Sequence, residues 1–270
     1  MYRFIDEKGE HLHELDGKPL IGTSTVVGVM AKPLTWWVAG LAVQQLGWVK
    51  KADPRKATRS ECEENDKERM RAAIDQLDAY KTMFAPDYIK LLDKAYRAHA
   101  DSLTKSADKG TDMHAELEGY IKRRIELNDG KPILTEVSSM VVNKFADWAV
   151  ENVKRFIASE VHCYSERLWT GGITDCIFED KQGRTAIMDF KSSKEAYLSQ
   201  FFQIAGYDIA ISENGIFDSE GKHIGVVEPI QYYAVFPFGM ENPAPSFHFD
   251  TAGARKGFEA CVTLYKLINQ

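Results

Sequence analysis

Residues 184–191 read Arg-Thr-Ala-Ile-Met-Asp-Phe-Lys, and this stretch decides the fold of the chain around it. It is apolar except at its ends, and its β-branched and aromatic residues favour a strand. Side chains two residues apart on a strand point to the same face. We therefore expect the carboxylate of Asp189 and the ammonium of Lys191 to lie side by side at the end of a buried strand.

A second segment of the same kind lies upstream, where residues 171–178 read Gly-Gly-Ile-Thr-Asp-Cys-Ile-Phe. If the two segments form adjacent strands, Asp175 joins Asp189 and Lys191 in one cluster. Buried charges cost several kcal/mol unless a cation, a substrate or a salt bridge compensates them. Carboxylate oxygens suit Mg²⁺ or Mn²⁺, so the cluster predicts a site for one or two such ions, with a same-face salt bridge as the alternative.

The rest of the chain alternates between helical and strand patterns. Residues 2–29 read as short β segments with a turn at Asp16-Gly17. The stretch 60–105 reads as two helices broken near Pro86. The further predicted elements are helices at 111–127 and 135–157, strands near 159–167, 172–179 and 184–191, a helix at 195–212, a strand at 230–236, a short strand at 247–249 and a C-terminal helix.

Five short motifs occur in one order along these elements. They are Gly110-Thr-Asp-Met-His114-Ala-Glu-Leu-Glu118, Glu160 on the first core strand, Gly172-Ile-Thr-Asp175, Asp189-Phe-Lys191 and Gln203-Ile-Ala-Gly-Tyr207. In type, order and spacing they resemble the PD-(D/E)XK nuclease superfamily, in particular its RecB-like and phage-type exonuclease branch. The proline of the family name is absent before Asp175, as is common in that branch.

The resemblance implies an α/β (α+β) fold, with a central mixed β-sheet flanked by helices in a restriction-endonuclease-like core. One nuclease domain would span residues 1–270. Residues 1–104 would form an N-terminal β-hairpin and helical extension, and residues 105–270 the catalytic core.

The resemblance also implies roles for individual residues. The expected metal ligands are His114, Asp175, Asp189, the backbone carbonyl of Phe190 and, as a further candidate, Glu160. The expected catalytic residues are Asp175, Asp189, Lys191, Glu160 and Gln203. Ser192, Ser193, Lys194 and Tyr207 are candidates for DNA contact.

Each role has a plainer alternative. Glu160 is equally explained as a solvent-facing strand residue that shares a polar face with His162 and Tyr164. His114, taken alone, is explained as an ordinary core or surface histidine. Gln203 and Tyr207 are explained as a hydrogen-bonded pair that fixes a helix to the sheet.

The function expected from the resemblance is metal-dependent hydrolysis of DNA phosphodiester bonds by an exonuclease of phage or prophage type. A structure-selective endonuclease and a catalytically inactive DNA-binding or assembly subunit stay open as alternatives. The expected partners are linear or single-stranded DNA ends, a recombinase or single-strand-annealing protein, and further copies of the chain.

Composition adds limits to these expectations. The net charge of −6 gives no support to DNA binding, so the basic residues Lys122, Arg123, Arg124, Lys191 and Lys194 would have to gather around one cleft. The four scattered cysteines predict no iron–sulfur cluster. The absence of a long apolar run and of a signal-peptide pattern predicts a cytoplasmic protein without membrane contact. The family resemblance implies that the cell is a bacterium or that the gene belongs to its phage.

Overall fold

A computed structural model describes residues 1–7, 10–31, 35–134 and 139–269. The chain divides into two compact units, one formed by Met1–Ala31 with Lys109–Gln270 and the other by Lys32–Asp108. The protein is a mixed α/β structure in which helices flank a mixed multi-stranded sheet. The N-terminal strands therefore group with residues 109–270 and not with the helical segment that follows them.

The larger unit contains the strands. They are β1 Tyr2–Glu7, β2 Glu10–Leu15, β3 Lys18–Pro19, β4 Ile21–Gly22, β5 Val153–Ser165, β6 Thr170–Asp180, β7 Thr185–Lys191, β8 Ile216–Phe217, β9 His223–Gly225, β10 Ile230–Pro237 and β11 Ser246–His248. Strands β1 to β3 form a small antiparallel sheet. Within the described ranges, eight strands form the large sheet in the order β11-β10-β7-β6-β5-β8-β9, with β4 pairing beside β6. Strand β7 is antiparallel to β6 and parallel to β10, so the sheet is mixed.

The helices are α1 Thr23–Val27, α2 Thr35–Gln45, α3 Arg59–Thr82, α4 Ala85–Asn128, α5 Met140–Asn152, α6 Leu198–Asn214 and α7 Thr251–Ile268, with a short 3₁₀ turn at Gly28–Met30. One face of the large sheet shares a core with α1, α6 and α7, and the other with α4 and α5. Ile187 belongs to the first core and its neighbour Met188 to the second. A strand buried on both faces reads as a continuous apolar run, which explains the composition of β7.

The observed elements confirm most of the predicted ones. The Asp16-Gly17 turn has positive φ at both residues and connects β2 to β3. The break near Pro86 is present, because α3 ends at Thr82 and α4 begins at Ala85. Strands β6, β7, β10 and β11 and helices α6 and α7 lie within a few residues of the predictions.

Two predicted boundaries and one predicted element type are wrong. The helix expected at 111–127 is the last part of α4, which runs without interruption from Ala85. The helix expected to end at 157 ends at Asn152, because the following residues pair with β6 from Val153 onward. The first four residues of the predicted helix, 135–138, lie outside the described part of the chain. Residues 23–27 form α1, although we predicted β structure there.

The smaller unit consists of helices. Helix α3 starts with a capping box, in which Thr58 and Glu61 exchange hydrogen bonds between side chain and backbone. Arg69 and Tyr80 donate hydrogen bonds from α3 to the carbonyls of Val49 and Leu46. Among the described residues of the whole chain, no helix combines the length and apolarity needed to cross a bilayer.

Candidate metal centre

Three neighbouring strands carry an acidic residue at the same level of the large sheet. Cys176 on β6 pairs with Ser159 on β5 and with Met188 on β7. One step further along each strand come three acids, Glu160, Asp175 and Asp189. The antiparallel pairing therefore aligns them in a row across the sheet, as the sequence predicted for Asp175 and Asp189.

Asp175 links the two strands that carry the central motifs. Its Oδ2 accepts a hydrogen bond of 2.6 Å from the backbone N–H of Phe190. Cys176 and Met188 form the last backbone pair of the β6–β7 ladder on this side. The carboxylate thus takes the place of a strand carbonyl as the acceptor for the Phe190 amide, and this fixes Asp175 beside the end of β7.

Glu160 has a backbone conformation that is unusual for its residue type. Its φ is +50° in the middle of β5, a left-handed conformation that costs a non-glycine residue about 1 kcal/mol or more. The residue also changes the alternation of the strand. Ala158 before it and Val161 and Cys163 after it all belong to the same core, although 158 and 161 are an odd number of residues apart.

The predicted polar face of β5 is wrong for two of its three members. The ring of His162 lies 4.3 Å from that of Phe4, and the ring of Tyr164 stacks on Tyr2 at 4.7 Å. Both residues therefore pack against the N-terminal strand β1. The shift in alternation at Glu160 is the physical reason why strand periodicity fails here.

His114 comes to the cluster from α4. Its ring meets the rings of Phe190 and Phe238 edge to face at 5.9 and 5.5 Å, and its Nδ1 lies 3.8 Å from Asp175 Oδ2. Burial lowers the pKa of the imidazole, while Asp189 and a hydrogen bond with the Phe190 backbone act in the opposite direction. The net effect favours a neutral ring, which is the form that binds metal ions.

His114, Glu160 and Asp175 together could hold a cation. One ligand atom from each residue lies within 4.8 Å of the other two. Ligands that share a Mg²⁺ or Mn²⁺ ion lie about 3 to 4 Å apart, so small side-chain movements would bring these three to one ion, which would keep waters at its remaining positions. The donors are carboxylate oxygens and an imidazole nitrogen without a thiolate, which suits Mn²⁺ and tolerates Mg²⁺.

The acidic cluster is electrostatically unfavourable without a cation. Burial raises the pKa of Asp175 well above its usual value, and Asp189 raises it further, while Lys191 opposes the shift. Burial and the neighbouring Glu118 raise the pKa of Glu160 to about 7. Like charges in a desolvated site produce such shifts, and a bound divalent cation reverses them.

Lys191 lies beside Asp189, as predicted. Its Nζ is 2.5 Å from Asp189 Oδ2, and the side chains are 24% and 2% exposed. Burial would lower the pKa of the lysine, but Asp189 and Asp175 outweigh burial and raise it. Lys191 is therefore an ammonium ion at neutral pH.

Glu118, the last residue of the helix motif, and Lys122, one of the basic residues expected around the cleft, adjoin the cluster. They form an ion pair four residues apart on α4, and the charges of both act on Glu160. The signal in the sequence was their spacing, since residues 114, 118 and 122 of a helix share one face. Lys122 thus fits the expected basic surroundings of the site.

Gln203 and Tyr207 form the hydrogen-bonded pair on α6 that was the plainer alternative to a catalytic role for Gln203 and a DNA contact for Tyr207. Gln203 Nε2 donates to the Tyr207 hydroxyl at 2.5 Å, and both residues are buried. Burial, Asp189 and Asp175 raise the pKa of this tyrosine, so its hydroxyl stays protonated beside the acidic cluster. The pair therefore lies beside the acidic cluster, where the Tyr207 ring packs against Gly172 of β6.

Thr23 contacts this pair and was not identified from the sequence. Its side chain is hydrogen-bonded to Tyr207 and lies 3.4 Å from the carbonyl of Gly171. A Cβ on Gly172 would lie 2.4 Å from both Thr23 Oγ1 and Tyr207 Cε1. This close approach explains the glycine of the Gly172-Ile-Thr-Asp175 motif. In the sequence, the only sign of this role is that Thr23, a residue with a hydroxyl group, directly follows the short segment that forms β4.

The segment after Lys191 is held by the loop that follows β10. The N–H of Phe238 donates to the Lys191 carbonyl, and that of Gly239 donates to Ser193. The Ser193 hydroxyl donates to the Glu195 carbonyl and accepts from Gln200, so local contacts occupy it. Ser192 and Lys194 are exposed.

Two comparisons of this chain with known proteins give no match. No protein-family model matches it, and a search of curated proteins finds no significant match. The geometry of the site is therefore the basis for any statement about function.

Proposed function

We propose that this protein is a metal-dependent DNA nuclease with a PD-(D/E)XK core, most consistent with an exonuclease of phage type. One observation carries the proposal. Carboxylates from three adjacent strands converge with the imidazole of His114 and the ammonium of Lys191. The same residues form the motifs on which the family resemblance rests.

In this proposal each residue of the site has its own role toward a bound divalent cation. His114, Glu160 and Asp175 would hold it, with Asp189 completing the negative charge of the site. When bound, a divalent cation supplies an activated water and neutralises charge on the phosphate. The hydrogen bond from the Phe190 N–H fixes the Asp175 carboxylate, and the ring contacts with Phe190 and Phe238 hold the imidazole of His114, so both ligands are positioned before a cation binds.

Lys191 would act through its charge. Its pKa is raised, so it is protonated at neutral pH and does not serve as a proton acceptor. A fixed ammonium beside the acids can bind a non-bridging phosphate oxygen and stabilise the negative charge that develops during hydrolysis. The Asp189 carboxylate holds the ammonium in place for that purpose.

Gln203, Tyr207 and Thr23 would position the catalytic strands. They tie α6 and the start of α1 to β6 close to Asp175. Ser192 and Lys194 are exposed directly after Lys191 and are available for contact with the DNA backbone. Partner proteins such as a recombinase belong to this proposal only through the family resemblance.

The test is a cleavage assay on two substrates. The purified chain is incubated with end-labelled linear DNA and with covalently closed circular DNA, with Mn²⁺, Mg²⁺ or EDTA. We expect degradation of the linear substrate only, and only with added metal. The matched variants are Asp175→Asn, which removes a ligand, and Asp147→Asn, which changes an exposed aspartate of α5.

Each alternative has its own result. Cutting of closed circles at the same rate would replace the exonuclease with an endonuclease. DNA binding in Ca²⁺ without cleavage in any metal would favour the inactive DNA-binding subunit. Full activity in EDTA, or in Asp175→Asn, would remove the metal site from the proposal.

A further inference from the structure

A small cavity lies beside α4, lined by residues that play no part in the candidate metal centre. It has a volume of about 280 Å³. Its walls are Gly119, Tyr120, Arg123, Arg124, Ile133 and Leu134. Two guanidinium groups therefore border one cavity, instead of joining Lys122 beside the acidic cluster as the sequence led us to expect.

Arg124 is the most informative residue of the cavity. Its Nε is buried and has no hydrogen-bond acceptor within the described part of the chain. The guanidinium lies over the ring of Tyr120, 5.7 Å from its centre. Among the described residues no acceptor or carboxylate pairs with this guanidinium, so it borders the cavity with its charge uncompensated and its donors available to an anion.

Two other residues that line the cavity are aliphatic and exposed. Ile133 is 45% exposed and Leu134 is 63% exposed. The Tyr120 hydroxyl donates to the Ile133 carbonyl at 2.7 Å and accepts from the Ile133 N–H, which holds this segment against α4. A ligand that contacts both the guanidinium groups and these aliphatic side chains carries an anionic group close to an aliphatic side chain.

These features disfavour a nucleic acid as the ligand. Tyr120 is 8% exposed and its ring contacts Phe145 and Phe156, so it offers no free face for stacking a base. Glu116 also lines the cavity, so two guanidinium groups and one carboxylate leave a single net positive charge there, which suits one anionic group and not a run of phosphates. The volume lies just below the usual range for ligand pockets, so the cavity suits the end of a chain better than a long segment.

We propose that this cavity binds the C-terminal residue of a partner polypeptide, with its carboxylate on Arg123 and Arg124 and its aliphatic side chain on Ile133 and Leu134. Guanidinium groups bind carboxylates through paired, charge-assisted hydrogen bonds. Capture of a chain terminus is one of the common modes of peptide recognition. The proposal is independent of nuclease activity, and its test contains no DNA cleavage step.

The experiment measures binding of a fluorescein-labelled peptide ending in Asp-Ile-Leu by fluorescence anisotropy. We expect the free-acid peptide to bind at least about tenfold more tightly than the same peptide with a C-terminal amide. Arg124→Gln should weaken binding by a similar factor. Leu134→Ser, at an exposed position with little effect on folding, should weaken it by about fivefold. Arg97→Gln, on the same helix but outside the cavity, should leave binding unchanged.

Three results would overturn the proposal. The first is equal binding of the acid and amide peptides, or no binding of either. The second is unchanged affinity in both Arg124→Gln and Leu134→Ser. The third is competition by a single-stranded oligonucleotide whose own binding is lost in Arg124→Gln, because that result makes the cavity a nucleic-acid subsite.

Discussion

Replacement of Glu160 by glutamine should stabilise the protein in the absence of metal. The pKa of Glu160 is raised from 4.5 to about 7 by burial and by neighbouring acids. Glutamine has nearly the same shape and no charge, so Glu160→Gln removes the repulsion and keeps the packing. The left-handed backbone is unchanged in this comparison, because glutamine is no better suited to positive φ than glutamate.

The magnitude follows from proton linkage. A rise of the pKa from 4.5 to about 7 corresponds to roughly 3 kcal/mol of lost stability when the carboxylate is ionised. Because the folded-state pKa is raised, the wild type loses stability as the pH rises from about 4.5 to about 7. Relative to wild type, Glu160→Gln should therefore gain about 3 kcal/mol at pH of about 8, about 2 at pH of about 6 and almost nothing at pH of about 4.

The assay is urea unfolding in EDTA, followed by tryptophan fluorescence, at these three pH values. Glu126→Gln, at an exposed position of α4, is the control and should show no such pH-dependent gain. Adding Mn²⁺ should stabilise the wild type more than Glu160→Gln, since the variant lacks a ligand. A Glu160→Gln protein that is less stable than wild type at pH of about 8 without metal would refute the reasoning, because Glu160 would then not lie among other buried acids.

Further outcomes are expected from the same geometry. Asp189→Asn should lose turnover while circular dichroism shows the fold retained; near wild-type cleavage would mean that the acid is not part of the site. Lys191→Ala should lower kcat by about two to four orders of magnitude with DNA affinity in Ca²⁺ preserved, and a pure binding defect would make it a phosphate anchor. Gly172→Ala should cost about 1 to 3 kcal/mol because its Cβ meets Tyr207, whereas Gly119→Ala, with open space around it, should be neutral or stabilising in urea melts. DNA affinity should fall with salt, with a slope of about −0.7 to −0.9 per phosphate contact, and a flat titration would exclude a phosphate-binding groove.

The sequence predicted the centre of the site because its strands obey simple rules. Strand β7 is buried on both faces, so its apolar run was unambiguous and the two polar residues at its end were conspicuous. Side-chain alternation then placed Lys191 beside Asp189, and antiparallel pairing placed Asp175 opposite. Each of these steps follows from regular strand geometry, which the pattern of residues in one sequence is enough to predict.

Other features depend on contacts that the sequence does not contain. The positive φ of Glu160 changes the alternation of β5, and no local signal marks a glutamate for that conformation. The boundary between α5 and β5 at Val153 is set by pairing with Asp180 of β6, which overrides the amphipathic helical pattern. The role of Thr23 depends on a tyrosine far along the chain.

The plainest alternative for the central motif is a structural salt bridge, and the charges of the cluster argue against it. One ammonium, Lys191, lies beside Asp189, yet Asp175 and Glu160 remain next to them with raised pKa values. Lys122 also acts on Glu160 but is paired with Glu118, so two ammonium groups face four carboxylates. A structure selected for stability alone would replace the surplus acids with apolar residues. A strained backbone at Glu160 adds a further cost at the same point. Costs concentrated at one place in an otherwise well-packed sheet are typical of a functional site, and a divalent cation held by His114, Glu160 and Asp175 would supply the missing positive charge.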